Sequence, residues 1–531
     1  MRELGSGIKQ NQMPIERHYA YTHRRRFHYR TSGSGLPFVM LHDWFGSSFS
    51  LEPMIRDLAK QYAVFALDLP GYGESESLQI PFTTEQIANA IIDEIDALYI
   101  DRFNLYGTGA GAVIALAIAD AHPGRIRCIK IEDFPDYMDN SFLNKVCEVA
   151  RLLRPTIEGS HLVNAWSIIR NISIFKPWFR QDARHRLQIA LPEADKLHDW
   201  TVDLLRGSAN CSDLLRTISA YDHEGAFRRN SALIVQDLHG VGKDLPMAPY
   251  SPPNVQAVEG SIRRDYVCTS AGQLLMRKVT GGNSRTLVMF HAGPGSSAGL
   301  EPLCLSLASD RQVVTFDTPG NGDSSPLVGD PSIEELASVL VEGIDAAGID
   351  KFDLYGVHTG AALAIEVALS RPKNTGHVIL DGLPLFSEAE VKEYIANYAP
   401  EMKVKWDGSH LLFAWNFYRD MTLWFPWYKR DPEHARLLRS QEPDSLHEAF
   451  MEFLKGARTY DKGYLAAFKY DIRTRLALLR APCLLCAHPQ DILAGTIEEA
   501  SRLLPAATVM NTPRNRGETS ELFRQFLDEL Y

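Results

Sequence analysis

The sequence predicts two α/β domains in tandem, each a doubly wound, mostly parallel sheet with a helical cap inserted into it. Three observations predict this. The first is an internal repeat: Leu-Tyr-Gly occurs at 105–107 and again at 354–356, and Gly-Ser-His-Leu at 159–162 and 408–411, both 249 positions apart. The same offset pairs His42 with His291, Asp68 with Asp317, Trp166 with Trp415, and Tyr221-Asp222 with Tyr470-Asp471. It holds without a gap from about residue 37 to His239, the partner of His488. So long a period exceeds any solenoid unit, and each copy is therefore a domain. The second observation is alternation within each copy. Pro37–Leu41 and Ala63–Leu67, with their counterparts Thr286–Phe290 and Gln312–Phe316, are short apolar runs that read as buried parallel strands. Helical stretches such as Thr84–Ala97 and Ser332–Ala347 follow them, as a doubly wound sheet requires. The third is an interruption: residues about 136–220 and 385–468 are helical and rich in Trp, Phe and Arg, and read as caps over the carboxyl edge of each sheet.

The boundaries follow from the repeat. Residues 13–243 form the first domain, 244–262 a linker and 263–531 the second domain. Asp244–Asn254 is proline-dense, polar and without periodicity, as a linker is. Copy one reaches Ala232–Gln236, the equivalent of strand seven, and then enters the linker, so it lacks strand eight and its helix. That truncation leaves an open sheet edge, which natural proteins cover. The expectation is that copy two, by domain–domain pairing within the chain, or a second chain in a homodimer, covers it.

Composition narrows the function classes. At 531 residues, 45% hydrophobic and 23% charged, the chain has the make-up of a globular protein of more than one domain. A net charge of −11 argues against nucleic acid as a partner, because phosphate binding needs a basic face. The one basic run, Arg24-Arg25-Arg26, reads as the solvated side of an early hairpin. Seven dispersed cysteines suit a reducing compartment. Cys483-Leu-Leu-Cys486 has knuckle spacing but lies in an apolar run, so buried thiols are expected. The first residues lack the apolar core of a signal peptide, and no stretch approaches the roughly 18 apolar residues of a membrane span. The expected location is cytoplasmic and the expected partner a small-molecule substrate or ligand, with no membrane.

Motifs then carry a resemblance. A strand ends in His-x-x-x-Gly at His42–Gly46 and His291–Gly295. The next ends in Asp-x-Pro-Gly-x-Gly-x-Ser at Asp68–Ser75 and Asp317–Ser324. A third runs into a glycine-framed turn and an alanine-rich helix at Leu105–Ala119 and Leu354–Ala368. In order and spacing the chain resembles the α/β-hydrolase superfamily, in its capped, lactonase- and epoxide-hydrolase-like branch, as two tandem α/β-hydrolase folds. The resemblance implies an oxyanion loop after His42 and His291 and a nucleophile elbow, Gly-x-Ser-x-Gly, at the glycine-framed turn. Here the elbows read Gly107-Thr-Gly109-Ala-Gly111 and Gly356-Val-His358-Thr-Gly360, so neither has Ser, Cys or Asp at its centre. The family's last histidine is missing too, since Asn511–Gly517 after the expected strand Ala507–Met510 contains none.

What survives is His358. An elbow centre is strained for any residue but glycine; copy one relaxed it to Gly109, while copy two keeps a side chain there. A His358–carboxylate pair would act as a general base. Asp491, just beyond the strand Cys483–Cys486, is the expected acid, with Asp381 the fallback. The backbone of Ala292, Gly293 and Thr359 would serve a developing oxyanion, with His291 and Ser296 on the same loop. Thr108 and Thr359 flank the elbow tip and should not point the same way as its central residue, so neither is an obvious substitute.

In the cap, His410, Trp415 and Arg419 offer a binding trio, Trp and Arg one helical turn apart. Copy one keeps all three as His161, Trp166 and Arg170, which favours packing instead. Trp406, Trp415, Phe417, Tyr418, Trp424 and Trp427 suggest an apolar or aromatic substrate. Asp68 and Asp317 are expected to hold the loops after their strands. No phosphate-binding glycine loop or metal-ligand cluster is present in the sequence, so no cofactor is implied. Two functions stay open. One is hydrolysis, or a lyase or isomerase step at a carbonyl, with His358 as base; the other is an inactive pseudo-hydrolase that binds a ligand or partner.

Overall fold

A computed structural model describes residues 13–134, 140–207, 211–236, 261–282, 284–436 and 442–528. The chain divides into two units, Met1–Arg154 with His161–Val255, and Pro155–Ser160 with Gln256–Tyr531. The expected linker, Asp244–Asn254, lies outside the described residues.

The first unit is built on six strands, β1 (Glu16–Tyr21), β2 (Arg26–Ser32), β3 (Leu36–Leu41), β4 (Tyr62–Leu67), β5 (Phe103–Thr108) and β6 (Ile126–Glu132), in the order β1-β2-β4-β3-β5-β6. The β1–β2 and β2–β4 pairs are antiparallel and the remaining pairs parallel. Every residue of β4 is buried, as expected of a strand covered on both faces. The helix Ala110–Ala121 is buried continuously through Ala119, which its run of small and aliphatic residues allows. The helix Thr84–Ala97 begins at a capping box between Thr83 and Gln86.

The second unit repeats this plan with eight strands: β7 (Ile262–Thr269), β8 (Gly272–Val279), β9 (Ser284–Phe290), β10 (Arg311–Phe316), β11 (Phe352–Val357), β12 (Thr375–Asp381), β13 (Cys483–Ala487) and β14 (Thr508–Asn511). Their order is β14-β13-β12-β11-β9-β10-β8-β7, parallel from β14 through β10. From β9 the chain winds one way to β10, then returns to add β11 on the other side. The switch point therefore lies between the carboxyl ends of β9 and β11, where open α/β sheets form their ligand crevices. The expected strands and helices are thus present in both units, as two tandem α/β folds.

Helices Asn140–Leu152, Ser160–Ile174, Ala194–Gly207 and Cys211–Ser219 fill the first cap region, and Glu388–Asn397, Ser409–Leu423, Pro443–Lys455 and Tyr460–Lys469 the second. Cys483 and Cys486 lie on β13, fully buried, and burial pushes both thiols up. Two local expectations fail. Ala232–Gln236 does not form a seventh strand: Ser231–Leu233 is a 3-10 turn, and only Ile234 bridges β6, through Ile129. Arg25 is not solvated, because its guanidinium reaches inward to the Glu94 carboxylate at 2.7 Å and to the Ala90 carbonyl at 3.0 Å. Burial there pushes the Glu94 carboxyl up to about 8 despite the arginine. Among the described residues, no helix is long and apolar enough to cross a membrane.

Candidate active site

The second unit brings three loops together at its switch point. Strand β11 turns into the helix Thr359–Ser370 at His358, whose φ of 52° lies in the left-handed region. Such a backbone costs a non-glycine residue on the order of 1–3 kcal/mol. It persists because the flanking chain is pinned: the His358 amide donates to the Asp381 carbonyl, and a Cβ on Gly356 would lie 2.2 Å from the Gly360 carbonyl.

At this tip the imidazole Nε2 lies 3.0 and 3.1 Å from the two carboxylate oxygens of Asp491, on the loop after β13. Both side chains are about a quarter exposed, at 23% and 25%. Asp491 also accepts the Leu493 amide at 2.8 Å. Burial pushes its carboxyl up, but the His358 contact and that amide outweigh it, and the acid sits below its ordinary range. Gly382 makes the pair sterically feasible. Its φ is 69°, and a Cβ there would stand 2.8 Å from His358 Cδ2 and 3.1 Å from Nε2.

Because Nε2 faces the carboxylate, that nitrogen carries the proton and Nδ1 keeps the lone pair. Nδ1 has no partner among the described residues, and His358 lines a pocket of about 630 Å³ of open space. Its wall is aromatic: Phe386, Tyr394, Tyr398, Phe425, Tyr464 and Phe468, with Met421, Ile492 and Leu493. One arginine, Arg436, completes it, held by donation from Nη1 to the Met421 carbonyl at 2.7 Å. Gly293 and Thr359 form the floor beside His358.

The arrangement can remove a proton from water or from a bound molecule at Nδ1, and it can hold an anion at Arg436. Among the described residues no group of three or more His, Cys, Asp and Glu side chains is placed to hold a metal ion.

Comparison with known proteins places this fold. The sequence model of the α/β hydrolase fold family matches residues 37–141 and 285–419, one stretch in each copy. Each copy thus carries a stretch that matches the α/β hydrolase fold family. The soluble epoxide hydrolase of Corynebacterium sp. (strain C12) is 34% identical over 105 residues, 20% of this chain and 37% of that protein. The 2-hydroxy-6-oxononadienedioate/2-hydroxy-6-oxononatrienedioate hydrolase 1 of Dechloromonas aromatica (strain RCB) is 36% identical over 110 residues, 19% of this chain and 37% of that protein. The chain thus spans little more than a third of the length of these relatives. The enol-lactonase from Burkholderia xenovorans LB400 superposes with a TM-score of 0.39 at 18% identity, over 50% of this chain and 100% of that one.

Against the superfamily pattern, the other expected site residues divide. Asp381 does not meet the imidazole ring; its carboxylate accepts the Tyr355 hydroxyl at 3.0 Å, and burial pushes it up to about 6. Gly293 lies at the site, but its amide already donates to Thr359 Oγ1 at 2.8 Å, and its carbonyl accepts the Tyr464 hydroxyl at 2.6 Å. Thr359 lines the pocket beside His358, and its hydroxyl is held by the oxyanion loop through that Gly293 amide. Ala292 does not line the pocket, and its carbonyl holds His291 Nδ1 at 2.8 Å. Buried His291 takes the Thr318 amide on Nε2 at 3.0 Å, which makes it a strut between loops. Ser296 caps the short turn Ser297–Leu300 and donates to Glu452. Asp317 accepts the amides of Ser297 and Asp323, both at 2.9 Å, and Asp68 those of Ser48 and Glu74, so each holds its loop.

The cap trio stays out of the pocket. His410 is buried and accepts the Lys405 amide, and Trp415 is fully buried with its indole donating to the Ile157 carbonyl at 2.9 Å. Arg419 lies on the same helix, away from the lining. None of Trp406, Trp415, Phe417, Tyr418, Trp424 and Trp427 lines the pocket; Trp406 is 46% exposed, and Trp415 and Phe417 are cap core. Sequence reasoning missed Arg436 and the true aromatic wall. A signal existed, in the differences between the copies. Tyr394, Tyr398, Phe425, Arg436, Tyr464 and Phe468 face Lys145, Val149, Lys176, Leu187, Leu215 and Ser219 at the 249-residue offset. Of the six wall aromatics, five have no aromatic counterpart in the first copy, and only Phe386 does, at Tyr137.

Proposed function

We propose that the second domain is a hydrolase-type enzyme acting on a small, flat carbonyl compound, with His358 as general base in place of a serine nucleophile. The observation that carries this reading is the His358–Asp491 contact, which leaves Nδ1 unpartnered in an aromatic pocket. Nδ1 takes a proton from water as its oxygen attacks the carbonyl, and Asp491 steadies the imidazolium that forms. The Thr359 amide at the positive end of its helix, with the Thr359 hydroxyl, faces the developing oxyanion. When the intermediate collapses, the imidazolium returns its proton to the leaving group, so the base is regenerated. The wall suits an aromatic or conjugated body, and Arg436 suits a carboxylate or enolate on it. The dioate named for the Dechloromonas relative has such groups.

The test is a panel of aryl esters, lactones and β-diketones, with and without a carboxylate, assayed on the full chain and on His358→Ala. Turnover of a carboxylated member should fall by roughly 100-fold or more in the variant. Serine-directed phosphonates should label neither protein. Equal turnover in both proteins, or phosphonate labelling that tracks activity, would overturn the base. No turnover across the panel, with tight binding of a member, would favour the inactive scaffold.

A further inference from the structure

The degenerate copy keeps a cleft of its own. About 1220 Å³ of open space remains at the elbow of the first unit, with Asp43, Trp44, Glu132, Asp133, Lys176 and Trp178 in its lining. At the 249-residue offset, Asp43, Trp44, Asp133 and Lys176 stand opposite Ala292, Gly293, Gly382 and Phe425. This lining is therefore particular to the first copy and is no remnant of a shared pocket.

The cleft carries both signs of charge. Lys176 meets Asp133 at 2.6 Å, and Lys130 lies 3.7 Å from Glu132, which also accepts the Tyr106 hydroxyl at 3.0 Å. An anion would face three carboxylates here, and a cation would face the Lys176 ammonium and the indole donors. A neutral polar molecule meets neither penalty.

Unmatched donors and an unmatched acceptor stand side by side in it. Asp43 Oδ1 accepts the amides of Trp44 and Ala110, both at 2.8 Å, which fixes the carboxyl group; Oδ2 has no partner among the described residues. Trp44, the next residue, is only 4% exposed and lines the cleft, yet its indole N–H has no partner among the described residues. The Trp178 indole N–H is buried and also unpartnered, whereas its counterpart Trp427 in the second copy donates to the Tyr398 carbonyl at 2.8 Å. A buried donor left without an acceptor is costly, so such a pair of indoles points to an oxygen supplied from outside the chain. A hydroxyl is the group whose single oxygen accepts from an indole N–H while its proton goes to a carboxylate.

The indole rings supply the apolar side of the same site. Their centroids lie 6.4 Å apart with the planes inclined at 51°, so they form a corner beside these polar groups. A pyranose ring matches that combination, because its C–H faces suit aromatic surfaces and its edge carries hydroxyls in several directions.

We propose that the cleft of the first domain binds a neutral sugar, a pyranose set against Trp44 and Trp178 with one hydroxyl shared between the Trp44 indole N–H and Asp43. The Lys176–Asp133 pair receives a further hydroxyl. The aromatic pocket of the second domain, with His358 and Arg436, selects a different chemistry, and the proposal stands whether or not that domain turns over a substrate.

The test is titration of the full chain with the methyl glycosides of glucose, galactose, mannose and N-acetylglucosamine, followed by tryptophan fluorescence and by saturation-transfer NMR. Cyclohexanol, benzyltrimethylammonium and benzoate are the controls. Saturable binding of at least one glycoside below about 10 mM is expected, with no control displacing it at equal concentration. Trp44→Phe, which removes the indole N–H and keeps a ring, should weaken that binding roughly five-fold, and His358→Ala should leave it unchanged. If Trp44→Phe melts too low to be read, Trp178→Leu serves, with a loss of roughly five-fold or more expected. No saturable binding by any of the four glycosides, displacement by the cation or by benzoate, equal affinity in a folded Trp44→Phe or Trp178→Leu, or loss of binding in His358→Ala would each overturn the proposal.

Discussion

At the scale of single residues, the second domain's site is set by which of two acids meets the imidazole. Asp491 meets the ring and is held ionised; Asp381 meets Tyr355 and is pushed up to about 6 by burial. The sign of the consequence follows from proton counting. Between about pH 4, where an unfolded aspartate titrates, and about 6, the folded protein keeps a proton on Asp381 that the unfolded chain has released. The Asp381 contribution to stability therefore falls as pH rises through that window. Asp381→Asn has no such titration and still accepts the Tyr355 hydroxyl. Urea denaturation should show the variant gaining on the parent by on the order of 1–2 kcal/mol between pH 4.5 and 7.5. His358 and Asp491 were legible because motif position names them. Arg436 went unread, since only its difference from Leu187 in the first copy marks it.

At the scale of elements, the turn from β12 into Gly382 decides whether the His–Asp pair can form. A methyl group at 382 meets the imidazole and needs a left-handed backbone besides. Gly382→Ala should cost on the order of 1–3 kcal/mol of stability and remove turnover, because the ring is displaced from Asp491. Thermal unfolding and the substrate panel together check this; a variant of unchanged stability and rate would show that the ring has room. The strands were readable from their apolar runs, and the elbow helices from their small residues. Ala232–Gln236 was misread for the same reason, since its Leu-Ile-Val core has strand composition but pairs with β6 only through Ile234. Trp415 and Phe417 were counted toward an aromatic substrate, although the shared Trp166 favoured packing for Trp415, because aromatic content cannot distinguish a cap's core from its pocket wall.

At the scale of the molecule, the duplication was plain in the sequence, and with it the two sheets. It also showed that the copies differ at the elbow centre, Gly109 in one and His358 in the other. The divergence gathers aromatics and an arginine in the second pocket, while the first takes up Asp43, Asp133 and Lys176. The account rests on the second elbow working as a coupled base, which a double-mutant cycle measures directly. With a substrate found in the panel, kcat/KM is determined for the parent, His358→Ala, Asp491→Asn and the pair together. Since Asp491 acts only through the ring, each single change should lower the rate, and the double variant should be no slower than His358→Ala. Losses that multiply in the double variant, or an Asp491→Asn protein as fast as the parent, would contradict it.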